Sequence, residues 1–477
     1  MGKSSNFNPQ HENFYTRLGL EEIASSVEIK RAFFNAVKIY PPEKDPENSK
    51  LIREAYDTLI HSIARSEYDT RNKFGDVLAN LEINLKDSVE DEDIDGERPV
   101  VGEEWRLGQG ASQRMFNKIF PVIFHNSQYG KRLPIGKKAV IDTAHYSTIR
   151  SFYTDWYRPD LMSVVAVGDF DKSEMEKLIH THFNRLAMPE NPRERIRFPV
   201  PDHAETLVAI ATDIEAPYTA VSIDYKFDNK EENTTQDYRH RIERNLFSGI
   251  LKNRLDELTK ASEPSLIYGT AYFNDMVLTK DGFTLFAVVN DDDIMKGIQT
   301  LLVEGQRLNL HGFTITELER EKKQILREIQ KAFDEREKTE SRSFVREYVS
   351  NFLSGEPIPG VASELEMHKI FLPNISMEEI NEFSHLYMKD FNRVVSVRAP
   401  KKEGINIPTE SEILNIFDEV KNIPISPYVD AVSDEPLIAV LPDPGKMLSE
   451  KIYSSVGITE WIMDNGVRVL LKPTDFK

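Results

Sequence analysis

The sequence lacks cysteine, and it also lacks any long apolar run. Without cysteine there are no disulfides, no thiolate zinc sites and no cysteine nucleophile. No stretch approaches the roughly 18 apolar residues of a membrane span. The first ten residues are polar, whereas a signal peptide needs an apolar run of about 7–15 residues. These absences predict a cytoplasmic chain that makes no membrane contact.

Positive charge is also in short supply. The 477 residues include 79 Asp and Glu against 60 Lys and Arg, which gives a formal net charge of −19. An acidic surface repels phosphate backbones, so nucleic-acid binding is not expected. Hydrophobic residues make up 40 % of the chain, enough for ordinary globular cores. The length predicts about three or four domains.

The metal-binding patterns His-x-x-Glu-His and His-Glu-x-x-His are absent, since none of the eleven histidines begins either one. Two histidines four residues apart share a helix face, which is why that spacing binds zinc. His180 and His182 would point about 200° apart on a helix. Glu382 and His385 could share a face but have no further ligands nearby in sequence. We interpret both pairs as solvated surface residues.

The first 80 residues predict a small helical domain. Ser25 and Glu28 have the spacing of a capping box, which starts a helix that continues to residue 40. Pro41 and Pro42 then stop it. Further helices are predicted at residues 14–20 and 47–64 and around Tyr68 and Phe74.

An acidic segment follows at residues 87–97 (DSVEDEDIDGE). Like charges packed this closely are hard to bury, so we predict a flexible linker. Beyond it, the apolar run at residues 161–167 (LMSVVAV) predicts a buried strand. Helices are predicted on both sides of this run, at residues 110–124, 146–157 and 172–185.

Residues 199–399 alternate between strand-like and helical patterns. The order strand, helix, strand, strand, helix, helix, strand predicts an α+β fold in which helices cover one face of a sheet. Thr314 and Glu317 have capping-box spacing at the start of a long charged helix. The strands are predicted at residues 206–211, 218–225, 265–274, 282–289 and 394–397, and the main helices at 234–260 and 316–338.

The last twenty residues predict a hairpin with its turn at Asn465 and Gly466. Two strands do not make a stable domain. We therefore expect that this hairpin either pairs with another sheet or begins a unit that is cut short.

The first block resembles a J-domain, the module by which co-chaperones stimulate Hsp70 ATPases. The family carries His-Pro-Asp after its second helix, and Pro41, Pro42 and Glu43 stand there in this chain. In the family that tripeptide triggers the ATPase. The resemblance therefore implies the scaffold without stimulation. The matching residues are 14–20 (FYTRLGL), 29–33 (IKRAF), 52–59 (IREAYDTL) and 68–69 (YD).

The same resemblance implies an Hsp70-facing surface at Lys30, Arg31 and Lys38. The alternative is that these three side chains are simply the solvated face of their helix. An Hsp70 is accordingly one of the partners that the sequence predicts, together with extended peptides.

Most of the remaining chain, from about residue 97 to 477, resembles the bacterial zinc proteases of the pitrilysin/insulinase family. That resemblance implies α+β half-units that close around an unfolded peptide, and a zinc held by two His and one Glu. The His pair belongs to a His-x-x-Glu-His motif upstream of everything matched here. The matching residues are 103–108 (EEWRLG), 132–136 (RLPIG), 152–169 (FYTDWYRPDLMSVVAVGD), 312–320 and 461–469.

By alignment with this family, Glu104 is the third zinc ligand and Glu97 its supporting carboxylate. A single carboxylate does not hold zinc tightly, because catalytic sites normally have three protein ligands. The resemblance thus implies zinc in the family but no tightly bound zinc, and no catalytic residue, in this chain.

Three hypotheses of function follow. The chain is a silent or fragmentary zinc-peptidase relative that binds extended peptides by strand addition. Alternatively, a partner supplies the missing half, and the pair is a metalloendopeptidase. A third alternative is a J-type chaperone adaptor. The predicted domains are residues 1–80 (J-like), 81–99 (acidic linker), 100–190 (partial N-terminal peptidase-like unit), 199–400 (second peptidase-like unit), 401–455 (connecting segment) and 456–477 (first hairpin of a further unit).

Overall fold

The computed structural model describes residues 8–11, 13–21, 24–42, 44–60, 65, 68, 89–184, 186–430 and 438–474. Its contacts define two compact units. The first comprises the described parts of residues 1–98, 144–162 and 170–193, and the second those of residues 99–143, 163–169 and 194–477.

The first unit begins with a helical block whose helices pack through small and branched apolar residues. The Ser25 hydroxyl accepts from the backbone N–H of Glu28, and the Glu28 carboxylate accepts from that of Ser25, so the predicted capping box is confirmed. The Tyr68 hydroxyl accepts a 2.6 Å hydrogen bond from the backbone of Phe14, while Phe74 lies outside the described residues. The helices are α1 (Phe14–Arg17), α2 (Ser26–Ile39) and α3 (Pro46–Ile60). Their buried core includes Tyr15, Leu18, Ile29, Ala32, Ala36, Ile52, Ala55 and Leu59.

The prediction of a flexible acidic linker is wrong from residue 91 onward, where helix α4 (Asp91–Leu107) begins. Carboxylates in a first turn are favourable, because the N-terminal end of a helix carries partial positive charge. Here they also find partners: Arg150 pairs with Asp91, and the Tyr146 hydroxyl donates to Asp95 at 2.8–2.9 Å. A count of like charges could not reveal partners more than fifty residues away. Residues 87 and 88 lie outside the described residues.

The helices predicted around the apolar run are confirmed, whereas the strand predicted at residues 161–167 is wrong. Leu161 ends a short 3-10 helix, and no strand follows it. In the described part of the chain no backbone hydrogen bond involves residues 163–170, and Val164 is 40 % exposed. An apolar run becomes a strand only where neighbouring strands satisfy its backbone. The helices here are α5 (Ala111–Ile123), α6 (Lys138–Thr143), α7 (Tyr146–Trp156) and α8 (Lys172–Phe183), with 3-10 turns at Tyr129–Lys131 and Pro159–Leu161.

The second unit contains a five-stranded mixed sheet, which confirms the predicted α+β class. Its strands lie in the order β1-β5-β2-β4-β3; β1 and β5 are parallel and the other neighbours antiparallel. The strands are β1 (Leu207–Asp213), β2 (Thr219–Asp228), β3 (Tyr268–Val277), β4 (Lys280–Val289) and β5 (Arg393–Pro400). The helices between them are α9 (Thr235–Thr259), α10 (Ile294–His311), α11 (Ile315–Asp334), α12 (Ser341–Ser354), α13 (Val361–Phe371) and α14 (Met377–Tyr387), with 3-10 turns at Arg336–Lys338 and Leu372–Asn374.

Alternation along the strands sends apolar side chains to the helical face of the sheet. In β2, Val221, Ile223 and Tyr225 join the main core with the helices. The opposite face is covered at β1 by α5, where Met115 packs with Ala209 in a smaller core cluster. Helices therefore lie on both faces, whereas the sequence predicted one covered face.

A buried ion pair joins α9 to α11. Arg254 donates to both carboxylate oxygens of Glu317, at 2.6 and 2.8 Å, and both side chains are only 2 % exposed. The same Glu317 carboxylate accepts from the backbone N–H of Thr314, completing the predicted capping box of α11. The guanidinium also lies 4.9 Å from the ring centre of Phe313 and 4.2 Å from that of Tyr428. One side chain thus connects two core helices, a loop and the segment after α15 (Glu410–Asn422).

The predicted terminal hairpin is present, and it pairs with a preceding strand. A three-stranded antiparallel sheet forms in the order β6-β7-β8, with Gly466 in a left-handed conformation at the turn (φ 82°). The strands are β6 (Met447–Tyr453), β7 (Ile458–Met463) and β8 (Arg468–Leu471). Among all described helices, none combines the length and apolar character needed to cross a membrane.

Replacing Arg254 with alanine leaves Glu317 as a buried carboxylate without its main partner. We expect the second unit to lose about 3–5 kcal/mol of stability, because breaking one side of a buried pair is strongly destabilising. Urea unfolding followed by circular dichroism measures this loss. The matched control is Lys260→Ala, which removes an exposed pair with Asp256 and should change stability little. Equal midpoints for the two variants would contradict the assignment.

Candidate functional site

The two predicted metal-site carboxylates lie on one helix but bring no other donors with them. Glu97 and Glu104 are both on α4, and both side chains are exposed. The adjacent Glu103 is bound by Arg106, whose Nε donates at 2.8 Å to each carboxylate oxygen. Across the described residues, no group of three or more His, Asp or Glu side chains is placed to hold a metal ion. A single exposed carboxylate does not fit a catalytic zinc.

Two histidines, His203 and His240, serve as structural hydrogen-bonding groups. His240 Nδ1 lies 3.0 Å from a Glu243 oxygen, and its Nε2 lies 2.8 Å from the Tyr387 hydroxyl. His203 Nδ1 lies 2.7 Å from the backbone oxygen of Glu205. Burial lowers the pKa of His203, so it is neutral at pH 7. These rings orient helices and loops rather than converging on a site.

The sequence also singled out two pairs that the structure places on helix surfaces. His180 and His182 lie in the last turn of α8, where His180 Nε2 is 3.9 Å from Glu176. Glu382 and His385 lie on α14, and both are exposed. His180 is exposed and His182 is half-buried, and the interpretation of these pairs as solvated surface residues stays a prediction.

The J-like loop follows α2 with a turn in which the backbone carbonyl of Pro41 accepts from Lys44 and Asp45, each at 2.9 Å. Pro42 is exposed, and Glu43 lies outside the described residues. No imidazole stands in this loop. Its sequence therefore offers other chemistry than the family's His-Pro-Asp.

Lys30, Arg31 and Lys38 are all exposed on α2, while Ile29 and Ala36 of the same helix are buried in the block's core. The three cations therefore share the solvent side of the helix. An exposed basic helix face is available to an acidic partner.

The best-formed binding surface that the sequence did not single out is the outer edge of β3. This strand is last in the sheet, and within the described residues β4 is its only ladder partner. Tyr268 and Tyr272 point to the face away from α9 and are 49 % and 40 % exposed. Desolvation, with the Asp224 carboxylate second, raises the pKa of Tyr272, so its hydroxyl remains a donor at neutral pH. The alternation of tyrosine with Gly269 and Ala271 was the available sequence signal.

A cavity of about 250 Å³ lies at the far end of β3, beside Asn274 and Asp275. Two arginines of α9 line it, but their charges are largely matched: Arg241 and Arg244 both pair with Glu232. The cavity thus offers polar contacts without a free ionic anchor. Binding along β3 would depend mainly on backbone hydrogen bonds and the two tyrosines.

Comparison with known families identifies both parts of the chain. Residues 144–325 match the Peptidase M16 inactive domain, and residues 13–69 match the DnaJ domain. The chain is a homologue of the M16 zinc proteases, the pitrilysin/insulinase family, joined to a DnaJ-type domain. Both resemblances inferred from the sequence are confirmed.

Individual relatives support this assignment over most of the chain. It is 30 % identical over 405 residues to the zinc protease PQQL-like of Arabidopsis thaliana, which covers 84 % of this chain and 39 % of the relative. It is 23 % identical over 459 residues to the probable zinc protease PqqL of Escherichia coli, covering 93 % and 49 %. The chain therefore spans about two fifths to one half of the length of these relatives. Both relatives are named as zinc proteases.

Solved structures support the fold. The periplasmic protease PqqL from Escherichia coli superposes with a TM-score of 0.70 at 21 % identity, covering 85 % of this chain and 45 % of that one. The ferredoxin protease FusC in complex with Arabidopsis ferredoxin gives 0.62 at 21 %, covering 83 % and 44 %. At such identities the likeness concerns the fold alone, and the predicted cytoplasmic location stays a prediction.

The donor count generates a direct test with the full chain. After incubation with excess zinc and gel filtration, we expect far less than one zinc per chain by plasma mass spectrometry, because one carboxylate competes poorly with water. Glu104→Ala should leave this content unchanged, as should the neighbouring control Glu103→Ala. Stoichiometric zinc that is lost only in Glu104→Ala would show that Glu104 belongs to a working metal site.

Proposed function

We propose that this chain binds extended polypeptide segments along the outer edge of β3 and does not hydrolyse them by itself. The observation that carries the proposal is an edge strand with two exposed tyrosines in a family of peptidases, in a chain without the family's His pair. The relatives are named proteases, and FusC was solved with a protein, ferredoxin, bound. Polypeptide ligands are therefore the class that this fold favours.

Binding of this kind follows from the geometry of an edge strand. An added peptide strand takes up the backbone groups on the open side of β3, which supplies affinity without sequence preference. Tyr268 and Tyr272 would then contact alternate side chains of the peptide, since residues two apart in a strand share a face. The net charge of −19 favours neutral or basic segments over acidic ones.

Hydrolysis is not expected because no three side chains among the described residues are grouped to hold a zinc ion. In this family a bound zinc ion activates the water that attacks the peptide bond, and without the metal that water is not activated. The alternative, a metalloendopeptidase completed by a partner that carries His-x-x-Glu-His, is supported by relatives about twice as long as this chain.

Peptide binding is tested by the double variant Tyr268→Ser and Tyr272→Ser. Each exposed aromatic contact contributes about 0.2–1 kcal/mol, so we expect roughly a 2- to 25-fold weaker affinity for a fluorescent ten-residue peptide of alternating valine and lysine. Fluorescence anisotropy with the full chain measures it. A peptide of alternating valine and glutamate should bind more weakly to both proteins.

The matched control is Tyr348→Ser, an exposed tyrosine on α12 rather than on a strand of the sheet. It should bind the lysine peptide as the unmodified chain does. Unchanged affinity in the double variant, or cleavage of either peptide by the unaided chain, would refute the proposed function.

A second function is favoured by the DnaJ match and by the exposed cations of α2. In this view the J-like block docks on an Hsp70 through Lys30, Arg31 and Lys38, and the loop that begins with Pro41 and Pro42 fails to stimulate ATP turnover. The chain would then bring a bound polypeptide to a chaperone without triggering it. This adaptor role is compatible with peptide binding at β3.

Charge reversal tests this docking. In the full chain, changing Lys30, Arg31 and Lys38 to glutamate should abolish binding to a purified bacterial Hsp70, measured by biolayer interferometry, because the surface would become acidic. Lys50→Glu, an exposed lysine on α3, should not. ATP turnover should stay at the basal rate with every protein. Stimulated turnover, or binding that survives the triple change, would exclude this role.

A further inference from the structure

The apolar run at residues 163–167 has the composition of a strand but pairs with no strand among the described residues. Met162, just before it, has extended backbone angles (φ −117°, ψ 150°). Residues 163–170 make no backbone hydrogen bond within the described residues, and Val164 remains 40 % exposed. Backbone groups beside apolar side chains normally find partners, because leaving them unpaired on burial is unfavourable. The run has the composition of a strand and the environment of a loop.

The chain contains a second copy of this segment, and that copy is paired. Residues 160–167 read DLMSVVAV, and residues 390–397 read DFNRVVSV. Four of the eight positions are identical, the aspartate and three valines, and a tyrosine stands three residues before each aspartate. Both segments also follow a helix and precede another: α7 and α8 for the first, α14 and α15 for the second. One helix–strand–helix element therefore occurs twice.

The paired copy shows what such a segment requires. Residues 394–397 lie within β5, between β1 on one side and β2 on the other. Val394, Val395 and Val397 are completely buried. The two flanking strands follow each other along the chain, separated only by residues 214–218. A valine-rich central strand of this kind is thus completed by one strand–turn–strand segment, parallel on one side and antiparallel on the other.

We propose that residues 163–167 become the central strand of a second sheet when a separate polypeptide supplies a strand–turn–strand segment. The two strands of this added segment would each be about five residues long or more and apolar on both faces. One would lie parallel to residues 163–167 and the other antiparallel. This interaction surface is distinct from β3 and does not rest on peptide binding there.

A second copy of this chain is a poorer occupant for two reasons. Every described strand is already held in a sheet, so an open edge of a copy (β1, β3, β6 or β8) could flank the run on one side only and could not supply two flanking strands. Two copies would also bring together net charges of −19 each. A different polypeptide can have two free strands and need not carry a large negative charge.

Hydrogen–deuterium exchange on the full chain tests the first half of the proposal with an internal control. Amides of residues 163–167 should exchange near the rate of unstructured chain, because no ladder protects them. Amides of residues 394–397 should exchange at least about 100-fold more slowly, as expected for a core strand. Comparable protection in the two segments would overturn the proposal.

A strand–turn–strand probe tests the second half. A synthetic peptide of residues 205–228, which contains β1 and β2, is added in excess to the full chain. Exchange at residues 163–167 should slow by about tenfold or more if a ladder forms. Val165→Asp should abolish this protection. The control Val429→Asp changes a valine outside the run that is 81 % exposed, and it should preserve the protection.

Absence of protection by the probe, or equal protection in Val165→Asp, would overturn the proposal. Sedimentation analysis of the chain without the probe peptide measures whether two copies associate. Dimerisation that disappears in Val165→Asp would make a second copy the occupant and would also overturn it. Circular dichroism confirms that the variants are folded, which is expected because both substituted valines lie outside helices and strands.

Discussion

The contact between Arg254 and Glu317 holds the second unit together at its most connected point. The carboxylate serves two elements at once, since it caps α11 and receives the guanidinium of α9. The guanidinium in turn lies over the rings of Phe313 and Tyr428. Charges this well removed from water need hydrogen-bond partners; Nε and Nη2 of Arg254 have them in Glu317, whereas its buried Nη1 makes no hydrogen bond with the described residues. The pair therefore fixes how two helices, a loop and the segment around residue 428 meet over the sheet.

Elements with strong local signals were predictable from the sequence. Capping boxes at Ser25 and Thr314 and the Asn-Gly turn at residue 465 are written in a few neighbouring residues, and the structure has all three. The two wrong predictions concern segments whose structure depends on residues far away in the sequence. The acidic run became helical because of Arg150 and Tyr146, and the run at residues 161–167 failed to become a strand because no described strand lies beside it.

The same distinction applies to the candidate sites. The absence of a His-x-x-Glu-His motif is read directly from the sequence, because a motif is local. The open edge of β3 could not, because an edge depends on the order of all five strands. Tyr268 and Tyr272 look like ordinary strand residues until the sheet places them at its margin. The chain thus has an α+β unit of the peptidase fold, whose β3 edge is the proposed polypeptide-binding surface, and its sequence contains no His-x-x-Glu-His motif.

The unpaired run also has a consequence for how much of this chain a cell would retain. Unpaired, uncharged, valine-rich segments that are partly exposed, as this one is, favour edge-to-edge aggregation, and proteins that display them are removed by proteases and chaperones. Copies made in excess of whatever shields residues 163–167 would be short-lived. The abundance of this chain should therefore follow the supply of its shield rather than its own rate of synthesis.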